Sequence, residues 1–390
     1  MKELITRWIG DHQEEIISWR RHFHQNPEIS GKEFETQKKI LEVLKSMGIE
    51  GQPCAGTGVV ADIGPTTGRT VAIRADIDAL PLPDEIDQPY CSQNEGVCHA
   101  CGHDAHTAGL LGLAGAFAAH QDQLPGRIRL LFQPSEEWFD GGAKEMIEEG
   151  CLEGVDFAIG MHVWQPVEAG KIAVNHVMMG SPNSFELTIQ GVGGHGSMPH
   201  QCVDPILVGS QIVQAFNTII SRSIDPLEVG VLSIGSFHSG AAFNVIPDKS
   251  VVTGNLRTLN AETRDRIFDR MEEICRGTCQ AMGATYQLNR IYGYTALVND
   301  PKVMDLAVNV ITETYGADAR LVNKPTLGGE DFSYFLEKVP GVFLFVGAGN
   351  VEKGITYPHH HPKFDIDESA LGQGAEVLGL IALRLLEKCI

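Results

Sequence analysis

The chain has 390 residues, which at about 150 residues per domain predicts two or three domains. Lys and Arg total 30 against 50 Asp and Glu, a formal net charge of −20 that excludes nucleic acid and anionic membrane surfaces as expected partners. At 43% hydrophobic and 21% charged residues the composition is that of an ordinary globular protein, not a disordered one.

Residues 1–48 read as helical. Leu4, Trp8, Ile16, Trp19 and Phe23 recur at helical spacing, as do Ile40, Leu41, Leu44 and Met47 before a stop at Gly48. The N-terminal segment mixes acids and bases, without the apolar core of a secretory signal. The longest apolar stretch, 109–119, is too short to span a bilayer. Nine cysteines are an odd count in a long chain, so reduced thiols and a cytoplasmic location are the expectation. Short apolar runs follow at 58–63, 70–75, 127–132 and 155–161, with a long apolar helix at about 105–121. Strands alternating with helices predict an α/β domain with a largely parallel sheet and helices on both faces. Such sheets bind ligands at the carboxyl ends of their strands, where Asp76/Asp78, Glu136/Glu137 and His162 fall.

From about 182 the pattern changes. Strand 185–190, helix 205–220, strands 229–237 and 250–259, helix 262–282 and strand 284–291 follow in the order β-α-β-β-α-β, a ferredoxin-like α+β unit. After 293 the first pattern resumes, with a helix at 302–315, a strand at 342–346, a His-rich loop and a last helix from about 368. The expected organisation is a discontinuous catalytic domain, 1–181 with 293–390, interrupted by a smaller lid and dimerisation domain, 182–292.

Several clusters carry candidate chemistry. In 99–106 (HACGHDAH), Cys101 and His103 stand two residues apart before a helix, so a thiolate and an imidazole can face one metal ion. Cys98 and Cys101 form a CxxC, but the chain holds no second one to complete a zinc knuckle. In 133–137 (QPSEE), adjacent Glu136 and Glu137 follow a strand; one carboxylate can bind metal while the other acts as general base. His162 ends a predicted strand, and His359, His360 and His361 precede Pro362. The donors mix sulfur, nitrogen and oxygen and outnumber one closed tetrahedral site, which favours a two-metal catalytic site with an open position. The segment 191–196 (GVGGHG) matches a dinucleotide fingerprint, but Pro199 and polar residues separate it from the next helix, so exposure of His195 on a tight turn is the better reading. Asn244 and Arg257 form a further candidate pair, the guanidinium being suited to a carboxylate.

These motifs, together with 20–28 (RRHFHQNPE), 74–81 (RADIDALP), 160–162 (GMH), 198–200 (MPH), 244–247 (NVIP) and 329–332 (GEDF), resemble the dinuclear metal-dependent amidohydrolases related to aminoacylase and carboxypeptidase G. The branch with hippurate hydrolase, auxin–amino acid conjugate hydrolases and N-acetyldiaminopimelate deacetylase is the most similar. The resemblance implies Cys101, His103, Glu137, His162 and His360 as metal ligands and Glu136 as general acid/base. It implies that His195 polarises the scissile carbonyl, from the same or a partner subunit. Asn244 and Arg257 would hold a substrate carboxylate, and Asp78 would orient a ligand. On sequence alone the run 359–361 leaves open which histidine is the ligand, and Cys98 has no assigned role. The implied cofactors are two divalent ions, Zn first, with Mn, Co or Ni as alternatives. The implied reaction is hydrolysis of N-acyl-L-amino acids by a homodimer or higher homo-oligomer. A metallo-carboxypeptidase or dipeptidase is the near alternative. A dinucleotide-dependent oxidoreductase and a non-catalytic metal-binding protein are the distant ones.

Overall fold

In the computed structural model, which describes residues 1–138 and 141–387, the run Thr70–Asp76 forms a strand buried at every position. A strand covered on both faces needs apolar side chains throughout, which is why this one does not alternate. It is the second of four parallel strands, Arg127–Gln133, Thr70–Asp76, Phe157–Glu168 and Gly341–Gly349, at the centre of an eight-stranded sheet. Gly58–Ile63 and Gly51–Cys54 extend one edge in antiparallel fashion; Ile172–Ala173 and Arg320–Leu321 extend the other. The fold is mixed α/β, with the parallel part confined to the middle.

Two compact units divide the chain. One comprises Met1–Met178, Val298–Lys324 and Asp331–Ile390; the other comprises Met179–Leu297 with Pro325–Glu330. In the first unit, helix His103–Ala118 is buried on every side, packed by Gln13–Gln25 and Ser369–Glu387. Its glycines and alanines make that possible: a Cβ on Gly112 would meet Ile16 Cδ1 at 2.5 Å. Each large apolar side chain buried in this core contributes about 1.5–3 kcal/mol. Among the described residues one helix, Ser369–Glu387, is long and apolar enough to cross a membrane, and 72% of it is buried inside this unit.

The second unit is an antiparallel sheet in the order Gly230–Ser239, Lys249–Thr258, Ser181–Gln190, Thr285–Tyr292. Helices Pro205–Phe216 and Ala261–Met282 cover one face. Phe185, Leu187 and Ile189, spaced by two on the strand, meet Val208, Ile212 and Phe216, spaced by four on the helix. Pro325–Glu330 joins this unit through a bridge from Thr326 to Met179, a crossing that lies within the expected catalytic portion 293–390.

One element differs from expectation in a way that matters. The strand read as 155–161 is Phe157–Glu168, so His162 lies inside it and not at its end. The strand continues because Gly341–Gly349 runs alongside, pairing Phe345 with His162 and Gly347 with Trp164.

Candidate metal centre

Strands Thr70–Asp76 and Arg127–Gln133 end side by side, with Asp76 opposite Gln133. One buried guanidinium ties these ends together. Arg74 donates to Asp76 Oδ2 at 2.7 Å, to Gln133 Oε1 at 2.8 Å and to Asp331 Oδ1 at 2.9 Å. Burial works against the Asp76 carboxylate, but Arg74, His103 and His106 outweigh it and hold it well below the usual range. Past the strand ends the chain leads directly to Asp78 and to the pair Glu136/Glu137.

Between Cys101 and His103 the backbone turns at Gly102 with φ +91°, where a Cβ would strike Val163 Cγ2 at 2.5 Å. Only glycine fits there, and the turn lets both neighbours face the strand ends. His103 begins the helix His103–Ala118.

The hydrogen bonds sort the histidines. His103 Nδ1–H donates to Asp78, at 3.0 Å to the carbonyl and 3.1 Å to Oδ1, while its Nε2 is buried without a hydrogen-bond partner. His162 Nδ1–H donates to the Val163 carbonyl at 2.6 Å, and its Nε2 faces Cys101 Sγ at 3.4 Å. In both rings the second nitrogen is directed into the cluster, the arrangement that orients a metal-binding imidazole once that nitrogen is deprotonated. His106 is different: its Nε2 accepts from the Val163 amide at 2.8 Å, and its Nδ1–H donates to Asp76. His106 is therefore a support, with no lone pair to give.

The same test separates 359–361. His359 Nε2 accepts from the Gln165 amide at 3.2 Å, its ring stacks on Trp164 at 4.6 Å, and its Nδ1 is buried without a hydrogen-bond partner. His361 Nδ1 accepts from Lys363 N, and its ring stacks on Tyr357. His360 has φ +63°, is anchored by its amide to Ala100 O, and brings Nε2 to 3.3 Å from Glu137 Oε1. Ligand atoms of Cys101, His103 and Glu137 lie within 4.8 Å of one another, and those of Cys101, His162 and His359 form a second group sharing the thiol.

The donor set fits divalent ions. Thiol, imidazole and carboxylate donors suit Zn and its neighbours in the transition series. The buried His103 Nε2 and Glu137 Oε1 lack hydrogen bonds, as vacant ligands would. Burial, with Glu137 and Glu136 adding to it, pushes the Cys101 thiol far up. Burial opposes protonation of His103, yet Asp76 and Asp78 hold it up to about 10. A cluster that retains protons this strongly is one that gains from a dication.

Asp78 joins ligand to loop: its Oδ2 accepts from Ser30 Oγ at 2.7 Å and from the Glu137 amide at 3.0 Å. Glu136 is 8% exposed. Cys98 lies apart from the donor groups, its thiol directed at Pro83 O and pushed up to about 12 by burial. Sequence reasoning passed over Arg74, His106 and Asp331. His106 lies three residues from His103 on one helix face, a signal available from spacing; Asp331 stands in the 329–332 motif, but nothing in the sequence ties it to Arg74.

In the second unit, His195 pairs with Val245 in a two-residue ladder, and the Gly196 amide donates to Asn244 O at 2.9 Å. His195 Nδ1 accepts from the Ser197 amide at 3.1 Å, which places the proton on Nε2 as a donor. Arg257 donates to the carbonyls of Asn183 and Leu256 and, among the described residues, has no carboxylate partner. Asn244 and Arg257, expected to hold one carboxylate, stand far apart within one copy of this unit. Arg257 pairs with Pro182 and Lys249 with Gln190, eight residues apart on one strand, or about 26 Å. Asn244 lies beyond the Lys249 end, so within one chain the two cannot touch the same small anion. The dinucleotide alternative also falls: 191–196 runs into the short strand Gly194–His195 and a 3-10 turn at Pro199–Gln201, and the next helix starts only at Pro205.

Residues 72–384 match the model of the peptidase family M20/M25/M40. The chain belongs to this family. As an M20 enzyme it is a metal-binding hydrolase of the amidohydrolase and peptidase class. Thermostable carboxypeptidase 2 of Saccharolobus solfataricus is 41% identical over 99% of both chains. N-acyl-L-amino acid amidohydrolase of Geobacillus stearothermophilus is 45% identical over 76% of this chain and 81% of its own. A Bacillus subtilis protein described as a dinuclear metal binding peptidase of the M20 family superposes with a TM-score of 0.86 at 32% identity, covering 97% of this chain and 100% of that one.

Proposed function

We propose that this M20 enzyme hydrolyses the amide bond of N-acyl-L-amino acids, giving a carboxylate and a free amino acid. The observation that carries the reading is the His103–Asp78–Glu137 linkage. One buried carboxylate both fixes the tautomer of a ligand imidazole and holds the amide of the loop bearing Glu136. Cys101, His103, Glu137, His162 and His360 would hold two divalent ions. Bound there, such ions supply Lewis acidity that lowers the pKa of a water molecule and polarises an amide carbonyl. Glu136 accepts the proton of the attacking water and returns it to the leaving amine. His195, with its proton on Nε2, donates to the carbonyl oxygen as negative charge develops there. Arg257 offers its unpaired guanidinium edge to the substrate carboxylate.

The separation of Arg257 from His195 and Asn244 supports a homodimer in which a second copy supplies the latter two. Exposed Leu227, Val229 and Val231, at and beside the edge strand Gly230–Ser239, support the same surface as the contact. Carboxypeptidase relatives keep a second substrate class open, since a dipeptide presents the same amide and carboxylate. The test is metal analysis followed by assay of N-acetyl-L-methionine, N-benzoylglycine and dipeptides, with and without chelator. Chelator-sensitive release of the amino acid from the N-acyl compounds is expected. Full activity in metal-free protein, or cleavage of dipeptides alone, would overturn it.

A further inference from the structure

Glu136 sits between two backbone amides, each held by a buried carboxylate. On its C-terminal side the Glu137 amide donates to Asp78 Oδ2 at 3.0 Å. On its N-terminal side the Ser135 amide donates to Glu33 Oε1 at 2.9 Å, with Ser135 Oγ at 3.4 Å from the same oxygen. Ser135 has φ +57°, one of three non-glycine residues in the left-handed region among the described residues. A serine is not at ease there, and such a conformation persists only where its surroundings impose it. Glu33 is the side chain hydrogen-bonded to that turn. Its side chain is fully buried, and Oε2 accepts from Thr57 Oγ1 at 2.6 Å. The carboxylate thus spans the residue before helix Phe34–Ser46, the turn before strand Gly58–Ile63 and the loop after strand Arg127–Gln133. Burial pushes its pKa up, so the site pays for a charge that a purely space-filling residue would not carry.

We propose that Glu33 is a positioning residue for the reaction: its buried carboxylate clamps the left-handed turn at Ser135 and so fixes the direction in which Glu136 leaves the backbone. The inference rests on the reading of Glu136 as general acid/base. It assigns Glu33 an effect on turnover that is separate from metal retention, because Cys101, His103 and His162 are anchored elsewhere and the Glu137 amide has its own hold on Asp78.

The test compares Glu33→Ala and Glu33→Gln in metal-loaded enzyme. The readouts are kcat and KM on N-acetyl-L-methionine, metal per chain by elemental analysis, and the visible spectrum of the cobalt-substituted protein. Glu33→Ala should lower kcat about 10–100-fold, the cost of a misaimed catalytic group, with KM within about threefold and with metal content and spectrum unchanged. Glu33→Gln keeps an acceptor for the Ser135 amide and offers a donor to Thr57 Oγ1, so it should recover kcat to within about threefold. If Glu33→Ala does not fold, Glu33→Asp, whose carboxylate is drawn back by one methylene, should show the same kcat loss with metal retained. Wild-type kcat in Glu33→Ala, a Gln variant as impaired as Ala, or metal loss in step with activity overturns the proposal. Glu136→Gln measured alongside separates the two readings. If it stays active, the assignment of Glu136 fails; if it is inactive while Glu33→Ala is fully active, the clamp alone fails.

Discussion

At the scale of single residues, the second hydrogen bond of each histidine decides what it can do. His103 and His162 spend one nitrogen on a neighbouring oxygen and keep the other; His106 spends both, on Asp76 and the Val163 amide, while His359 accepts from the Gln165 amide at Nε2 and keeps Nδ1 buried without a hydrogen bond. His195 reaches its donor tautomer through the Ser197 amide. If it stabilises developing charge, His195→Ala should lower kcat more than it raises KM in steady-state assays; a change in KM alone would make it a binding residue. The protons held on Cys101 and His103 must leave when an ion binds. Affinity for zinc, measured by chelator competition between pH 6 and 8, should therefore rise with pH, and a flat profile would contradict the ligand set. Much of this centre was legible in the sequence, because donor types and their strand-end positions are local facts. The sorting of 359–361 was not. It depends on which ring meets Gln165, Lys363 or Glu137, and those contacts are made only in the folded chain.

At the scale of elements, the centre is built where two parallel strands stop, beside His162 within a third, and the loops beyond the strand ends are tied down by buried charge. The apolar runs made those strands readable, but not the length of Phe157–Glu168, which is set by its neighbour Gly341–Gly349. Glu33 was missed for the same reason: nothing near it in sequence announces a bond to Ser135, 102 positions away. The last helix, Ser369–Glu387, begins at a similar tie. Asp367 accepts from Ser369 N at 3.1 Å and from Asn350 Nδ2 at 2.6 Å, and Lys353 lies at 3.0 Å. Burial opposes its charge, but these bonds hold its pKa down at about 2. A depressed carboxylate stabilises the fold above its unfolded pKa and loses that effect as pH falls through the folded value. Asp367→Ala should cost roughly 0.5–2 kcal/mol in thermal or denaturant unfolding. The gap from wild type should be full above about pH 4 and shrink toward pH 2. A pH-independent gap would show that the cap is not electrostatic.

At the scale of the whole molecule, composition and pattern were enough to read an α/β unit interrupted by a ferredoxin-like one. The short return at Pro325–Glu330 was not readable, because it rests on the bridge from Thr326 to Met179 and the bond from the Gly180 amide to Gly328 O, made only in the folded chain. The net charge of −20 opposes the anionic substrate proposed above, so under that proposal attraction would be local, through Arg257 and bound cations. Removing the ions should lower thermal stability, since ligands bound only by the folded state contribute about 2.7 kcal/mol at 100-fold excess over Kd. Calorimetry with and without chelator would show this, and an unchanged Tm would mean that the centre does not hold them. The most direct measurement is made on purified Glu136→Gln: divalent metal per chain and turnover of N-acetyl-L-methionine, each against wild type. Two ions per chain with turnover reduced by about 10²-fold or more is the expected result. Metal loss with partial activity, or full activity with the ions in place, would contradict the assignment of Glu136 as acid/base and Glu137 as ligand.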